Sequence, residues 1–106
     1  MSNSSRRYEI LLPLFHNDGS PVDRELLITT VVELEEQFGA VSSETQTIRG
    51  FWRHKGKRYE DELTRIFVDV QDTPEHRTFF LEFKERLKER FAQLDVWITT
   101  YPLEVL

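Results

Sequence analysis

Cysteine is absent from all 106 residues, which excludes a disulfide framework and every thiolate metal site and fits a reducing cytoplasm. Glycine and proline number four each, and six of these eight, Gly19, Pro21, Gly39, Gly56, Pro74 and Pro102, are expected to mark a turn, a cap or the end of an element. No apolar run approaches the roughly 20 residues of a membrane span, and Met1 to Ser5 lead into Arg6 and Arg7 without the apolar core of a secretory signal. A cytoplasmic protein with no membrane attachment is therefore expected. Also missing are a glycine-rich phosphate loop, a nucleophile elbow, and a serine paired with a plausible base. Enzyme activity thus has no positive sign, and no cofactor is expected. Three histidines are present, but only His16 has a further donor nearby, Asp18 in the same turn. A metal site needs three or four converging donors, so none is expected.

What is present is an acidic body with one basic exception. The formal charge is -5, and Arg49, Arg53, Lys55, Lys57 and Arg58 stand among Phe51, Trp52 and Tyr59 with no acid between them. Setting those five cations aside leaves the remainder at -10. The acidic balance argues against general affinity for nucleic-acid backbones, which rests on cationic charge and counterion release. The segment reads as a projecting hairpin, with Lys55, Gly56 and Lys57 at its tip and Glu60, Asp61 and Glu62 closing it.

At this length the chain is one domain, residues 1–106, with 1–6 expected to be disordered. Tyr8 to Phe15 reads as a strand ending in Asn17, Asp18 and Gly19. Ser20, Pro21 and Asp23 read as a cap, a first-turn proline and a dipole carboxylate, and Leu27, Val31, Leu34 and Phe38 recur at helical spacing until Gly39. Strands are expected over Thr45 to Arg53 and Arg58 to Val70. Thr73 and Pro74 repeat the cap signal before the stripe Phe80, Phe83, Leu87, Phe91 and Leu94, with Glu82 and Arg86 spaced to pair four apart. Val96 to Tyr101 is the last strand, ended by Pro102.

The fold class is thus α+β with the order βαββαβ. It predicts a four-stranded antiparallel sheet with both helices on one face, the ferredoxin-like arrangement. In element order the chain resembles small bacterial proteins of ferredoxin-like fold. More distantly, it resembles the dimeric α+β barrels and small-ligand regulatory modules built on the same topology. Arg49, Gly50 and Phe51 also resemble the opening of an RNA recognition motif, although Trp52, Arg53 and His54 depart from its continuation.

Alternation along the strands sends Ile10, Leu12, Leu14, Ile66, Val68, Val70, Val96 and Ile98 toward the helices. Leu11, Pro13, Phe15, Phe51, Phe67, Trp97 and Tyr101 then fall on the opposite face, where a water-exposed sheet would normally be polar. Such a face implies burial against a second copy, so Leu11, Phe15, Phe67, Trp97 and Tyr101 are candidate interface residues. The candidate binding residues are Arg49, Phe51, Trp52, Arg53, Lys55, Lys57, Arg58 and Tyr59. Together these features point to a non-enzymatic homodimer or higher oligomer that binds a small ligand or an acidic protein partner. The alternatives are a nucleic-acid-binding protein that uses the basic aromatic hairpin and a small cofactor-free enzyme with a cleft over Trp97 and Tyr101. The plainest reading of the hairpin is a solvated tip whose cations pair with Glu60, Asp61 and Glu62 or with a partner's acidic helix.

Overall fold

A computed structural model describes residues 4–106. The order is β1 (Ser5–Pro13), α1 (Arg24–Phe38), β2 (Ser42–Ser43), β3 (Ile48–His54), β4 (Lys57–Gln71), α2 (Pro74–Arg90) and β5 (Trp97–Leu103). Every strand pairing is antiparallel: β1 lies between β4 and β5, while β2 and β3 both pair with the far edge of β4. This is the ferredoxin-like arrangement.

The sheet has five strands instead of the expected four because its edge strand is interrupted. Ser43 lies opposite Ile66 and the Glu44 amide donates to the Arg65 carbonyl, but Ile48 lies opposite Leu63. Thr45, Gln46 and Thr47 therefore share the space opposite Thr64, so two extra residues bulge outward and divide one strand into β2 and β3.

The long β4 belongs to two structures. From Leu63 to Gln71 it pairs with β1, and from Lys57 to Leu63 it pairs with β3. The second half is a two-stranded arm running past the end of β1, and the molecule is accordingly elongated, 49 × 29 × 25 Å. At the arm's tip Lys55 and Gly56 have φ of +50° and +77°. Two positive-φ residues between paired strands make the turn whose twist matches a hairpin, and the glycine takes the second position without Cβ strain.

The core lies between the sheet and the helices. Tyr8, Ile10, Leu12, Ile66, Val68, Val70 and Val96 meet Leu34 of α1 and Phe80, Phe83 and Leu87 of α2, with Phe91 beyond its end. Tyr8 stacks on Phe80 at 4.0 Å, and Phe79, Phe80 and Phe83 with Phe38 form a contiguous aromatic layer. Thr73 caps α2 by accepting from the His76 amide, with Pro74 in the first turn. No described helix is long and apolar enough to cross a membrane.

Several boundaries differ from the sequence reading. β1 begins at Ser5, so the expected disorder over 1–6 does not extend to residues 5 and 6, while residues 1–3 lie outside the described residues. The cap of α1 is Asp23, whose carboxylate accepts from the Glu25 amide. Ser20 instead donates its amide and hydroxyl to Asp18, closing a local turn before the helix. α2 stops at Arg90, and Ala92 at φ +52° turns the chain away, leaving Leu94 65% exposed. Arg86 bonds Glu33 of α1 at 3.0 Å, across the helix pair, instead of Glu82 on its own helix. Arg90 reaches the same Glu33 at 2.8 Å and donates to the buried Thr30 hydroxyl. One glutamate thus ties α1 to α2.

Candidate binding surface

In the arm, the pleat sorts what the sequence mixes. The register sets Trp52 opposite Tyr59, Gly50 opposite Asp61 and Ile48 opposite Leu63 on one face. Arg53 opposite Arg58, Phe51 opposite Glu60 and Arg49 opposite Glu62 occupy the other. Successive side chains alternate, so the aromatic pair and the arginines point in opposite directions.

On the aromatic face the Trp52 and Tyr59 rings stack with centroids 4.4 Å apart and planes 14° from parallel. The Trp52 indole N–H donates to the Asp61 carboxylate, which fixes the ring's orientation. Lys57 Nζ lies 5.2 Å from the Tyr59 centroid. A Cβ on Gly50 would come within 3.3 Å of Leu63 Cδ1, so the glycine lets Leu63 close against the arm. In sequence Asp61 reads as one member of a solvated acidic run. Its spacing of two from Tyr59 is the signal that it shares the aromatic face.

On the arginine face Phe51 is 55% exposed, and the Arg58 guanidinium lies over its ring at 5.1 Å. The register corrects the expected position of Phe51: it shares parity with Glu60, Glu62 and Ile66, the helix-facing side of the sheet, carried beyond the helices. Like charges directly opposite each other destabilise a ribbon, yet Arg53 faces Arg58.

The expected pairing of the arm's cations with Glu60, Asp61 and Glu62 is scarcely made. Among the described residues only Arg58 has a carboxylate within 4.0 Å, the exposed Glu60 at 3.8 Å, while Arg49, Arg53, Lys55 and Lys57 have none. The body behaves otherwise. Arg6, Arg7, Arg65, Lys84, Arg86, Lys88 and Arg90 each have an acidic partner, leaving Arg24 and Arg77 without one among the described residues.

The sheet face away from the helices carries Leu11, Phe67, Trp97 and Tyr101, but it is more polar than the alternation predicts. Arg7 donates twice to Asp69, at 2.7 and 2.9 Å, and its guanidinium covers the Phe67 ring at 4.2 Å. Those hydrogen bonds to Asp69 raise the already high pKa of Arg7. The Tyr101 hydroxyl donates to Glu9 at 2.9 Å, and Arg65 joins Glu9 to Glu44. What stays open is Trp97, 62% exposed, and in part Tyr101. Phe15 lies beyond the end of β1, is exposed, and bridges to Pro21 in the following loop.

The three histidines serve other ends: His54 closes β3, the His16 amide donates to the Ser20 carbonyl, and His76 Nδ1 lies 2.6 Å from the Gln71 carbonyl oxygen. Among the described residues no three histidine or acidic side chains converge. A second open feature lies elsewhere, an apolar groove of about 280 Å³ between α1 and the β2–β4 edge. Leu12, Leu27, Ile28, Val31 and Val32 line it, with Ser43 and Glu44 at its edge-strand side.

No protein-family model and no curated protein matches the chain. Solved structures do. A phage SAM lyase in complex with S-methyl-5'-thioadenosine superposes with a TM-score of 0.67 at 14% identity, over 99% of this chain and 93% of that one. The divalent cation tolerance protein CutA1 of Thermus thermophilus gives 0.65 at 19% identity, over 95% of this chain and 85% of that one. The GlnK–ATP complex of B. subtilis gives 0.51 at 16% identity, over 97% and 84%. At these identities the likeness is one of fold.

Proposed function

We propose that the chain is a non-enzymatic, homo-oligomeric module that binds a small ligand or protein partner through the outer sheet face and the 49–59 arm. The observation that carries this reading is the contrast in charge pairing among the described residues: seven of the nine body cations are matched, while four of the arm's five have no acid within 4.0 Å. Exposed ion pairs contribute little to stability, so folding alone gives no reason for that difference. The open Trp97 and Tyr101 support a covered sheet face, since large exposed aromatics mark interfaces more often than solvated surface.

For a small ligand, the chemistry on offer is an aromatic platform at Trp52 and Tyr59 with Lys57 close by. A nucleoside with a phosphate suits that combination, because a base stacks on an aromatic ring while Lys57, on the same face, takes the phosphate. Two structures of similar fold carry adenosine compounds, S-methyl-5'-thioadenosine and ATP. The test is sedimentation of the native chain at micromolar concentration, followed by calorimetric titration with ATP. More than one 12.7 kDa chain per particle is expected, with a lighter species for Phe67→Asp and ATP binding weakened in Trp52→Ala. A monodisperse native monomer that leaves ATP unbound overturns the reading.

The similarity to a phage SAM lyase favours one rival, an enzyme that cleaves a sulfonium nucleoside. Incubation with S-adenosylmethionine and chromatography for S-methyl-5'-thioadenosine decides between them. Product formed in proportion to protein would make the module an enzyme.

A further inference from the structure

We infer that the arginine face of the arm docks on a second copy of this chain, with Phe51 entering the apolar groove between α1 and the β2–β4 edge. The inference rests on the homo-oligomer reading and assigns it a specific contact. It starts from α1. Glu25, Ile28, Val32, Glu35 and Glu36 fall at helical spacing on the exposed side of that helix, so two apolar residues stand between acids. Ile28 and Val32 are each 43% exposed and line the groove.

The arm's arginine face has the complementary pattern. The exposed Phe51 stands at its centre with Arg49, Arg53 and Arg58 around it, and the same face carries Glu60 opposite Phe51 and Glu62 opposite Arg49, which leaves it with one net positive charge. Arg49 to Arg53 covers about 13 Å of strand and Glu25 to Glu36 about 16 Å of helix, so the two patterns match in length. Each patch also lacks, within its own chain, what the other supplies. Arg49 and Arg53 have no acid within 4.0 Å, and Glu25, Glu35 and Glu36 have no cation, among the described residues. The groove is open and largely apolar, with room for an aromatic ring, and Arg24 at its rim is placed to meet the arm's Glu60 or Glu62. Docking would bring the Arg53–Arg58 like-charge pair onto carboxylates, which removes the cross-strand repulsion the isolated arm retains.

Because arm and groove are different surfaces, the contact is heterologous and each copy can both give an arm and receive one. Such contacts generate a closed ring when the rotation closes. A second copy is favoured over nucleic acid because the remainder of the chain is acidic, which attracts a basic arm and repels phosphate.

Charge reversal tests the contact by sedimentation at micromolar concentration and low salt, with circular dichroism to verify that each variant is folded. R53E/R58E is expected to weaken self-association on the order of tenfold or more, as like charges then meet across the contact. E35R/E36R should do the same, and the two sets combined in one chain should restore assembly. Phe51→Ser should weaken it without changing its salt dependence. If the native chain is larger than a monomer but R53E/R58E leaves its size unchanged, the arm contact is refuted and the homo-oligomer reading stands. A native monomer refutes both. Binding of a (dT)20 oligonucleotide that is lost in R53E/R58E, with assembly unaltered, would assign the arm to nucleic acid instead.

Discussion

Replacing Leu87 by alanine tests the placement of α2 against the sheet. Leu87 is fully buried in the last turn of the helix, in the cluster that contains Phe83, Phe91, Leu34, Ile10 and Leu12. The substitution removes three carbons, worth about 0.8 kcal/mol each in transfer free energy, or about 2.4 kcal/mol in all. The cavity left behind adds to this, and buried Leu→Ala changes cost about 2 to 5 kcal/mol depending on how far the site collapses. For a domain of this length the unfolding entropy converts that loss into a midpoint decrease of roughly 10 to 20 °C. The control is Leu94→Ala. Leu94 continues the same apolar stripe in sequence but lies past the helix end and 65% exposed, so its midpoint should move by no more than about 2 °C. Thermal unfolding by circular dichroism measures both. Equal shifts for the two variants, or an unchanged midpoint for Leu87→Ala, would refute the helix orientation described here.

Thr30→Val keeps the shape of a fully buried side chain but removes the hydroxyl that donates to the Leu26 carbonyl and accepts from Arg90 Nη1. A loss of about 1 to 2 kcal/mol in urea unfolding is expected, and none would mean that the α1–α2 tie is unimportant. Gly56→Ala forces a Cβ into a φ of +77° at the arm's tip, which costs roughly 1 to 2 kcal/mol. It should loosen the arm, read as a changed Trp52 environment in near-ultraviolet dichroism, while far-ultraviolet helix signals stay constant. The Asp18 carboxylate accepts two hydrogen bonds from Ser20, which lower its pKa below the ordinary value. Its contribution to the turn is therefore present above the unfolded pKa and lost as pH falls through the folded one. An NMR titration should show the Asp18 carboxyl moving at lower pH in the native chain than in Ser20→Gly with the backbone intact.

The elements themselves were legible in the sequence because local physics specifies them. Thr73 and Pro74 open α2 where they stand in the chain, the Phe80, Phe83 and Leu87 spacing identifies its buried side, and Gly56 marks the hairpin turn. The alternation in β1 and β4 assigns the correct face to Ile10, Leu12, Ile66 and Val68, because a period of two is fixed by the strand itself. Four things depended on partners distant in sequence. The two-residue bulge that separates β2 from β3 is a mismatch of register between strands. Glu33, and not Glu82, takes Arg86 because two helices pack side by side. Arg7 covers Phe67 because β1 lies against β4, which gives the outer sheet face a polar belt. The cations and aromatics of the arm, a single mixed run when read along the chain, separate onto opposite faces once Arg53 is set against Arg58 and Trp52 against Tyr59. Sequence determined the composition of that arm. Which of its side chains act together was decided by the pairing of the two strands, since alternation assigns faces only after the register is fixed.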